Sequence, residues 1–445
     1  MDHRTAQDDS DPGQGSASAE THERPGASLV AAASLGNLIE WFDWYLYSAL
    51  ALYFAPAFFP SGDRTIQLMN AAAVFAIGFL MRPFGAALLG SYADRHGRKA
   101  GLTVSVALMS LGSIIIAFTP DYATVGIFAP ALLLIARLLQ GLSVGGEFGA
   151  SSTYLTEIAS TAHRGFYSSF QGLTGIAGQL LAVGVLVVLQ FILEKPQLEA
   201  WGWRIPFVVA ALGTFVVLFL RRRLVETTTF TQSSAPPKEH PVRTLLRHPR
   251  AMMTAIGLTI GGIVAYYTFT AYIQKFLVNT AGLDRDQASQ VSAATLFIYM
   301  LAQPLFGALS DRIGRKPVMI AFGVLGTTLT VPIMTAMERV QDPFVAFWLI
   351  LLALAIVSGY TAIHTVVRAE LFPTRVRAIG VSLPYALTVS LFGGTAEYVA
   401  LALKNSGHEP WFYWYVSGCV FVSLIVYVTM PETRHRNLSN VGSEP

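Results

Sequence analysis

Long apolar stretches separated by short polar breaks make up most of this 445-residue chain. Apolar runs of about 20 residues recur, and one such run is long enough to cross the hydrocarbon core of a membrane as an α-helix. The pattern therefore predicts an all-α membrane protein with twelve transmembrane helices. We place them at residues 28–58, 68–91, 100–119, 128–158, 165–193, 204–220, 251–279, 287–308, 317–337, 344–371, 378–403 and 410–430.

Polar segments divide the twelve predicted helices into two groups of six. The beginning of the chain is rich in Ser, Gly and Asp, which is typical of a disordered tail, and it lacks the pattern of a signal peptide. A second polar break contains three consecutive arginines and two consecutive prolines. The predicted organisation is a tail at 1–27, a first half at 28–220, a central loop at 221–250, a second half at 251–430 and a tail at 431–445.

Composition narrows the class of protein. Only 13% of the residues are charged, about half the share in soluble proteins, and 53% are hydrophobic. Cys419 is the single cysteine, so no disulfide forms within the chain. The nine histidines include no His-x-x-x-His pair, and no nucleotide-binding or cofactor motif occurs. We expect no metal, no cofactor and no nucleic-acid partner; the composition itself indicates the lipid bilayer as a partner.

One ten-residue pattern occurs twice, about half the chain apart. Gly-x-x-x-Asp-Arg-x-Gly-Arg-Lys spans residues 90–99 and again 307–316, each time between two predicted helices. The repeat indicates two related halves, a common design of transporters that bind their substrate between the halves. Its first glycine lets two helices approach closely, and its second permits a tight turn.

The aspartates of the repeat suggest a gate at this face of the membrane. Each aspartate can cap the next helix or accept hydrogen bonds from an arginine. A Glu and Arg pair also recurs near the same face, and its carboxylate is placed to bind the basic turn of its own half. In the alternative interpretation the basic residues only define topology, and the histidine of the first turn is solvated rather than a pH sensor. The predicted gate residues are Asp94, His96, Arg98, Glu157, Arg164, Asp311, Arg315, Glu370 and Arg377.

The distribution of basic residues predicts the orientation. About two thirds of the 30 Lys and Arg residues fall on one side if both termini share the side of the repeated turns. Basic residues concentrate in cytoplasmic loops. We therefore expect both termini in the cytoplasm of a bacterial cell, with the chain crossing its cytoplasmic membrane many times.

Buried arginines in the first half are candidate substrate contacts, because ionisable residues inside a membrane are costly and usually functional. With a helix rise of about 1.5 Å per residue, Arg137 lies near the midplane and Arg82 about 7 Å from it in depth. That separation matches the reach of a C5 dicarboxylate, and the arginine fork suits carboxylates. Alternatively, Arg82 pairs with an acidic neighbour within the protein.

Carboxylates in the first half are candidate proton carriers. Glu40 and Asp43 lie on one side of the first helix, and Glu147 follows two glycines in the fourth. In the alternative interpretation these carboxylates form permanent ion pairs with the arginines. A polar and aromatic stripe on the first helix is expected to face a cavity; it consists of Asn37, Glu40, Trp44 and Tyr47.

The second half has fewer central charges. We expect Lys275 near the outer mouth and Arg368 near the inner end, where long basic side chains snorkel to the interface. Tyrosines and glutamines at mid-depth are expected to supply aromatic and hydrogen-bonding walls, or else to serve in packing. The predicted substrate-binding residues of the whole chain are Arg82, Arg137, Gln140, Lys275, Tyr299 and Gln303.

Several motifs resemble those of a known superfamily. The repeated turn lies where the loop-2/3 signature of the major facilitator superfamily lies in each half. Five segments resemble the metabolite:proton symporters: residues 36–43, 78–83, 137–147, 164–171 and 201–206. Three more are similar to the α-ketoglutarate permeases within that family: residues 59–62, 272–282 and 393–401.

This resemblance covers residues 28–430 and implies a fold and a function. It implies the major facilitator fold and proton-coupled uptake of an organic acid, with α-ketoglutarate as the expected substrate. Members of the same family carry citrate, shikimate, or zwitterions such as proline and betaine. A symporter for citrate or for a zwitterionic osmolyte is therefore the alternative.

Two other classes of protein fit the sequence less well. A membrane enzyme needs a nucleophile, metal cluster or cofactor motif, and the sequence shows none. An ion channel has no need for two duplicated gates. We therefore expect a transporter that is not an enzyme, working as a monomer.

Overall fold

The computed structural model describes residues 27–96, 98–159, 161–222, 245–373 and 376–434, without the side chains at 27–36, 93–95, 98–99, 146–158, 161 and 216–222. Long helices make up nearly all of this part of the chain. They are α1 (Ala27–Phe58), α2 (Arg64–His96), α3 (Arg98–Phe118), α4 (Phe128–Ile158), α5 (Arg164–Ile192), α6 (Ile205–Arg222), α7 (Pro249–Asn279), α8 (Arg285–Ile313), α9 (Arg315–Glu338), α10 (Pro343–Leu371), α11 (Arg377–Asn405) and α12 (Glu409–Thr429).

The predicted twelve-helix membrane fold is confirmed. Within the described ranges, ten helices are long and apolar enough to cross a membrane. The other two are α1, which has 32 residues but carries two carboxylates and several Trp and Tyr, and α6, whose apolar part is Gly202–Phe215. No β-strand occurs among the described residues.

The predicted helix boundaries agree with the structure to within a few residues. The main difference is that α2 and α8 continue to His96 and Ile313, where the sequence predicted ends at 91 and 308. Each aspartate of the repeated turn therefore lies in the last turn of a helix, and Asp311 does not cap the helix that follows. After α8 the chain reverses at Gly314, whose φ of 104° favours glycine.

Among the described residues, two helix pairs make the most extensive contacts between the halves. They are α2 with α11 and α5 with α8. The order of helices in each half relates α2 to α8 and α5 to α11, so exchanging the halves converts one pair into the other. Most other packing is internal to a half, for example α2 on α4 and α9 on α12.

The bundle has two ends, which we name by their connections. The turn end carries the α2–α3 and α8–α9 connections, and the opposite end carries α1–α2 and α7–α8. At the opposite end Lys195 Nζ lies 2.9 Å from Asp284 Oδ1, which links the two halves. The hydrogen bond from Lys195 lowers the pKa of Asp284. Both side chains are largely exposed, so this link is weak.

Three helices of the second half are interrupted near their middle. α7 and α11 each contain a π-helical turn, at Thr268–Tyr272 and Val389–Gly393. α10 ends its first part at Thr361 and resumes at His364. Interruptions of this kind are frequent at functional sites.

Candidate functional site

A cavity lies between the two halves near mid-length of the helices. It contains about 510 Å³ of empty space, part of it open to solvent. α1 and α5 of the first half line it together with α7, α10 and α11 of the second. Its polar lining residues are Trp41, Tyr45, Gln171, Tyr266, Tyr267, Tyr360, Thr361, His364 and Tyr385.

Glycines bring α2 and α4 into backbone contact within the first half. A Cβ on Gly141 would lie 2.0 Å from the carbonyl oxygen of Gly78, and one on Gly145 would lie 2.1 Å from that of Arg82. Any larger residue at these positions would push the helices apart. The close contact places Arg82 of α2 beside Arg137 of α4.

Both arginines lie against the indole ring of Trp44 on α1. Arg82 Cζ is 4.3 Å from the ring centroid, and Arg137 Cζ is 4.1 Å from it. Phe79 and Tyr47 add ring contacts, at 4.1 Å to Arg82 and 4.6 Å to Arg137. Because cation–π contacts strengthen when water is excluded, these rings offset part of the cost of burying two cations.

Hydrogen bonds connect Arg137 to Asp43. Arg137 Nη1 donates to Gln140 Oε1 at 2.7 Å, and Gln140 Nε2 donates to Asp43 Oδ1 at 3.2 Å. Gln140 Nε2 also donates to Ser113 Oγ, whose hydroxyl lies within hydrogen-bond distance of the Asp43 carboxylate. All four side chains are buried. Asp43 therefore contacts Arg137 through Gln140, and these two described residues form no direct ion pair.

Both arginines retain nitrogen atoms that have no hydrogen-bond partner in the described part of the chain. These atoms are Nε and Nη2 of Arg82 and of Arg137. Arg82 is 4% exposed and Arg137 is fully buried. The Trp41 ring, which lines the cavity, lies 5.7 Å from Arg82 Cζ. The arginine pair thus lies one side-chain layer behind the cavity wall.

Tyr299 and Gln303 of α8 also lie behind this wall. Tyr299 OH donates to Thr361 Oγ1 at 2.8 Å, and Thr361 Oγ1 donates to Gln303 Oε1 at 2.9 Å. Both α8 side chains are buried, whereas Thr361 lines the cavity. In this conformation they orient Thr361 rather than face the cavity themselves.

Lining tyrosines join the halves directly. The hydroxyl groups of Tyr45 on α1 and Tyr266 on α7 lie 2.9 Å apart. Tyr266 OH also lies 3.3 Å from Gln179 Oε1 on α5, to which it donates. The cavity wall is therefore hydrogen-bonded across the boundary between the halves.

Lys275 lies four residues before the end of α7, near the opposite end as predicted, but its side chain does not snorkel to the interface. Its Nζ is 2.8 Å from Glu397 Oε2 on α11 and donates to Ser48 Oγ on α1 at 2.7 Å. Lys275 is fully buried, and Glu397 is 5% exposed. The Glu397 carboxylate compensates the charge of Lys275 directly. Through these two contacts Lys275 joins α1, α7 and α11, and it is not among the residues that line the cavity.

The prediction that Arg368 snorkels to the end of α10 is wrong. Arg368 is fully buried, with Nη2 2.6 Å from Nδ1 of His364 and Cζ 4.1 Å from the Tyr385 ring centroid. Cation–π contact with a ring stabilises a buried guanidinium, so Arg368 does not have to reach the membrane–water interface. Sequence reasoning missed His364, since a single histidine in an apolar stretch forms no recognisable pattern.

The stripe predicted on α1 to face a cavity is wrong, because none of its four members is among the residues that line the cavity. Trp41 and Tyr45 line the cavity, whereas Trp44 and Tyr47 face α2 and α4. Tyr47 OH donates to the Ala71 carbonyl of α2 at 2.9 Å. The reason is that the two arginines of α2 and α4 hold the rings of Trp44 and Tyr47 by cation–π contact, which sets the rotation of α1.

At the turn end, Asp311 of α8 caps α5 across the boundary between the halves. Asp311 Oδ1 accepts from the Gly165 N–H, and Oδ2 accepts from the Phe166 N–H, both at 2.8 Å. Arg315 Nη1 donates to the same carboxylate at 2.8 Å. A Cβ on Gly307 would lie 2.5 Å from the Gly165 carbonyl oxygen, so the two helices touch here. The second repeated turn therefore fastens α8 to the first half.

Glu370 and the segment after α12 extend this cluster. Arg315 Nη2 lies 3.7 Å from Glu370 Oε1, and Thr433 Oγ1 donates to Glu370 Oε2 at 2.6 Å. Glu432 accepts from the N–H groups of Arg315 and Lys316, both at 3.0 Å. Burial alone would raise the pKa of Glu432, but its backbone hydrogen bonds outweigh burial and the pKa is lowered. The chain end after α12 is thereby fastened to the start of α9.

The other predicted site residues are more scattered. Arg164 and Arg377 are buried at the turn end, and Arg377 Nε donates to the Ala369 carbonyl at 3.1 Å. His96 is exposed and stacks on Tyr92 with ring centroids 4.3 Å apart. Glu40 is partly buried, one helical turn from Asp43. The side chains of Asp94, Arg98, Glu147 and Glu157 lie outside the described residues.

The fold and the paired halves identify the class of protein. The family described as sugar (and other) transporter matches residues 29–235 and, a second time, residues 220–444. The chain belongs to this family of the major facilitator superfamily, and it is a membrane transporter rather than an enzyme.

Characterised relatives carry different solutes. The alpha-ketoglutarate permease of Escherichia coli K12 is 52% identical over 397 residues, covering 89% of this chain and 92% of the relative. The citrate-proton symporter of Klebsiella pneumoniae is 36% identical, with 83% of each chain covered. The proline/betaine transporter of Escherichia coli K12 is 32% identical, covering 94% of this chain and 85% of the relative.

Solved structures support the fold. The E. coli xylose transporter XylE in a partially occluded inward-open conformation matches with a TM-score of 0.75 and 20% identity, covering 92% of this chain and 99% of that one. FucP in an outward conformation matches with a TM-score of 0.61 and 17% identity, covering the same shares. Both are major facilitator transporters in their architecture, as this chain is.

Proposed function

We propose that this protein imports a dicarboxylate, α-ketoglutarate, together with protons across a bacterial inner membrane by alternating access. The relative named alpha-ketoglutarate permease, at 52% identity, supports this substrate over those of the citrate and proline/betaine relatives, at 36% and 32%. The turn end faces the cytoplasm, because most of the Lys and Arg residues lie there. The protein works as a monomer, with both termini cytoplasmic.

The observation that carries the proposal is the arginine pair. Arg82 and Arg137 are buried side by side, and each keeps two guanidinium nitrogens without a partner in the described part of the chain. Buried cations and buried N–H donors are costly unless they are compensated. A substrate carboxylate supplies both the charge and the acceptors, and it reaches the pair when the Trp41 ring turns aside.

Proton coupling follows from the link between Asp43 and Arg137. Through Gln140, the cation of Arg137 favours the ionised form of Asp43 while the site is empty. A bound dicarboxylate neutralises Arg137 and so favours the protonated form of Asp43. Substrate and proton then bind cooperatively, which is the linkage that symport requires. Glu40 and Glu147 are the reserve candidates for the same role.

The second repeated turn serves as the cytoplasmic gate. The Asp311 carboxylate holds the N-terminus of α5, and Arg315 holds Asp311 together with Glu370. Breaking these hydrogen bonds separates α5 from α8 and opens the cavity to the cytoplasm. Arg164 and Arg377 belong to the same gate, and by symmetry so do Asp94, His96, Arg98 and Glu157 in the first half.

The test is uptake of radiolabelled α-ketoglutarate into proteoliposomes under an imposed pH gradient. We expect uptake that rises with a proton gradient directed along transport, collapses with an uncoupler and is inhibited best by unlabelled α-ketoglutarate. Citrate, succinate and betaine serve as competitors. Stronger inhibition by citrate or betaine would reassign the substrate, and uptake that ignores the gradient would refute symport.

A further inference from the structure

The wall that the second half contributes to the cavity contains a polar group with no part in the mechanism above. His364 lies where α10 resumes, lines the cavity and is 9% exposed. The rings of Tyr360 and Tyr385 both stack on the imidazole, with centroid distances of 4.8 Å and 5.7 Å. This stacking holds the ring in one orientation at the cavity wall.

The contacts of His364 determine which ring nitrogen carries the proton. Arg368 Nη2 lies 2.6 Å from His364 Nδ1, and a guanidinium can only donate. Nδ1 therefore accepts, so the proton of the neutral imidazole is on Nε2. Within the described part of the chain, Nε2 has no hydrogen-bond partner. His364 thus presents an N–H donor to the cavity, while nine tenths of its surface is buried.

The break in α10 makes this wall attractive to an anion. The resumed part of α10 runs from His364 to Leu371, so its N-terminal end is at the cavity. The first N–H groups of a helix lack partners within the helix and carry a partial positive charge. Thr361, at the other side of the break, also lines the cavity. The Nε2–H group of His364 and the helix terminus therefore both favour an anion at the same part of the cavity wall.

We infer that His364 Nε2–H binds the distal carboxylate of the substrate, remote from the keto group, while Arg82 and Arg137 bind the carboxylate beside the keto group. This assignment rests on the proposed function and adds the contact made by the second half. Arg368 is a positioning residue, because it holds Nδ1 and keeps the proton on Nε2. A dicarboxylate bound in this way bridges the two halves, whereas a solute with a single carboxylate binds one half only. His364 therefore selects for dicarboxylates.

Two substitutions separate the donor of His364 from its acceptor. His364→Asn keeps an acceptor near the position of Nδ1 and loses the donor at Nε2, whereas His364→Gln keeps a donor near Nε2. We would measure the KM for α-ketoglutarate uptake into proteoliposomes and the inhibition constant of 2-oxopentanoate, which has the same carbon chain without the distal carboxylate. The control is His408→Asn, at an exposed histidine of the opposite end.

The expected result is a loss of selectivity. His364→Asn should raise the KM for α-ketoglutarate about tenfold, the effect of one charge-assisted hydrogen bond, and leave the inhibition constant of 2-oxopentanoate within about twofold. His364→Gln should retain most of the preference. A parallel loss for both compounds, or an unchanged preference in His364→Asn, would overturn the assignment while the proposed function stands. No uptake of α-ketoglutarate by the unaltered protein would instead overturn the proposed function, and this inference with it.

Discussion

Lys275 and Arg315 of the second half are compensated differently from Arg82 and Arg137 of the first. In the second half, Lys275 has the Glu397 carboxylate at 2.8 Å, and Arg315 has the Asp311 carboxylate at 2.8 Å. In the first half, Arg82 and Arg137 contact aromatic rings, and among the described side chains only Arg137 is connected to a carboxylate, through Gln140. A cation with a carboxylate in contact is compensated within the protein. A buried cation without one is compensated when an anion binds.

This difference is the ground on which we propose that Arg137, rather than Lys275, binds the substrate. Lys275 and Arg137 look alike in the sequence, as single basic residues in apolar stretches. The structure gives Lys275 a permanent partner and leaves Arg137 with nitrogens that have none in the described part of the chain. The comparison therefore supports a packing role for Lys275 and the proposed substrate contact of Arg137.

The largest effect should come from the carboxylate linked to the arginine pair. Asp43→Asn should abolish accumulation of substrate driven by a pH gradient, because the coupling proton loses its site. Exchange of internal for external α-ketoglutarate should continue, since exchange moves no net proton. Both are measured with labelled substrate in proteoliposomes, and Glu40→Gln is the matched variant. If accumulation persists in Asp43→Asn but is lost in Glu40→Gln, the coupling proton binds Glu40, one helical turn from Asp43.

Removing the carboxylate of the buried Lys275–Glu397 pair should destabilise the protein. Glu397→Gln leaves the buried Lys275 ammonium without its carboxylate, and such a loss costs about 3–5 kcal/mol. The melting temperature of the purified protein measures this effect. The double variant Lys275→Met/Glu397→Met should recover most of the stability and retain the affinity for α-ketoglutarate. A double variant that is stable but no longer binds substrate would show that Lys275 contacts the substrate after all.

A conservative change in the arginine pair should act on affinity. Arg137→Lys keeps the charge but loses the planar fork, so we expect the Kd for α-ketoglutarate to rise about ten- to hundredfold, or about 1.5–3 kcal/mol. Calorimetry on the purified protein measures the Kd, and Arg82→Lys is the matched variant. If neither variant changes the affinity, the anion site lies elsewhere in the cavity.

A smaller effect is expected at the gate, where the Arg315–Asp311 pair also joins the two halves. Asp311→Asn weakens the hold on α5 and should increase opening at the turn end about tenfold, the loss of roughly one charge-assisted hydrogen bond. Opening is measured by thiol labelling of Gly175→Cys in a Cys419→Ser background. Gly175 lines the cavity, and a Cβ there would meet nothing closer than 3.9 Å. Equal labelling rates with and without Asp311→Asn would leave the turn as a topology signal only.

Sequence periodicity predicted the helices well and the facing of individual side chains less well. The twelve helices follow from apolar length alone, because a membrane span needs about 20 apolar residues. The rotation of α1 does not follow in this way. Trp44 and Tyr47 turn toward α2 and α4 because arginines from two other helices lie there. The positions of those arginines depend in turn on the contact of Gly141 with the Gly78 carbonyl.

The repeated turn shows the same limit. Its aspartate was expected to act on neighbours in sequence, yet Asp311 caps a helix that begins near Arg164, in the other half. His364 became visible only through the three side chains packed around it, Tyr360, Tyr385 and Arg368. Contacts between residues this far apart in the chain leave no local pattern in a single sequence.

By itself, the sequence determined the membrane class, the twelve helices, the duplicated halves and the transporter family, because apolar length and repeated motifs are local properties of the chain. The tertiary structure alone decided which buried charges have partners. Arg82, Arg137 and Lys275 each needed a neighbour from another helix to be interpreted. The physical reason is that the cost of a buried charge depends on the groups within a few ångströms of it, and helix packing brings those groups together from distant parts of the chain.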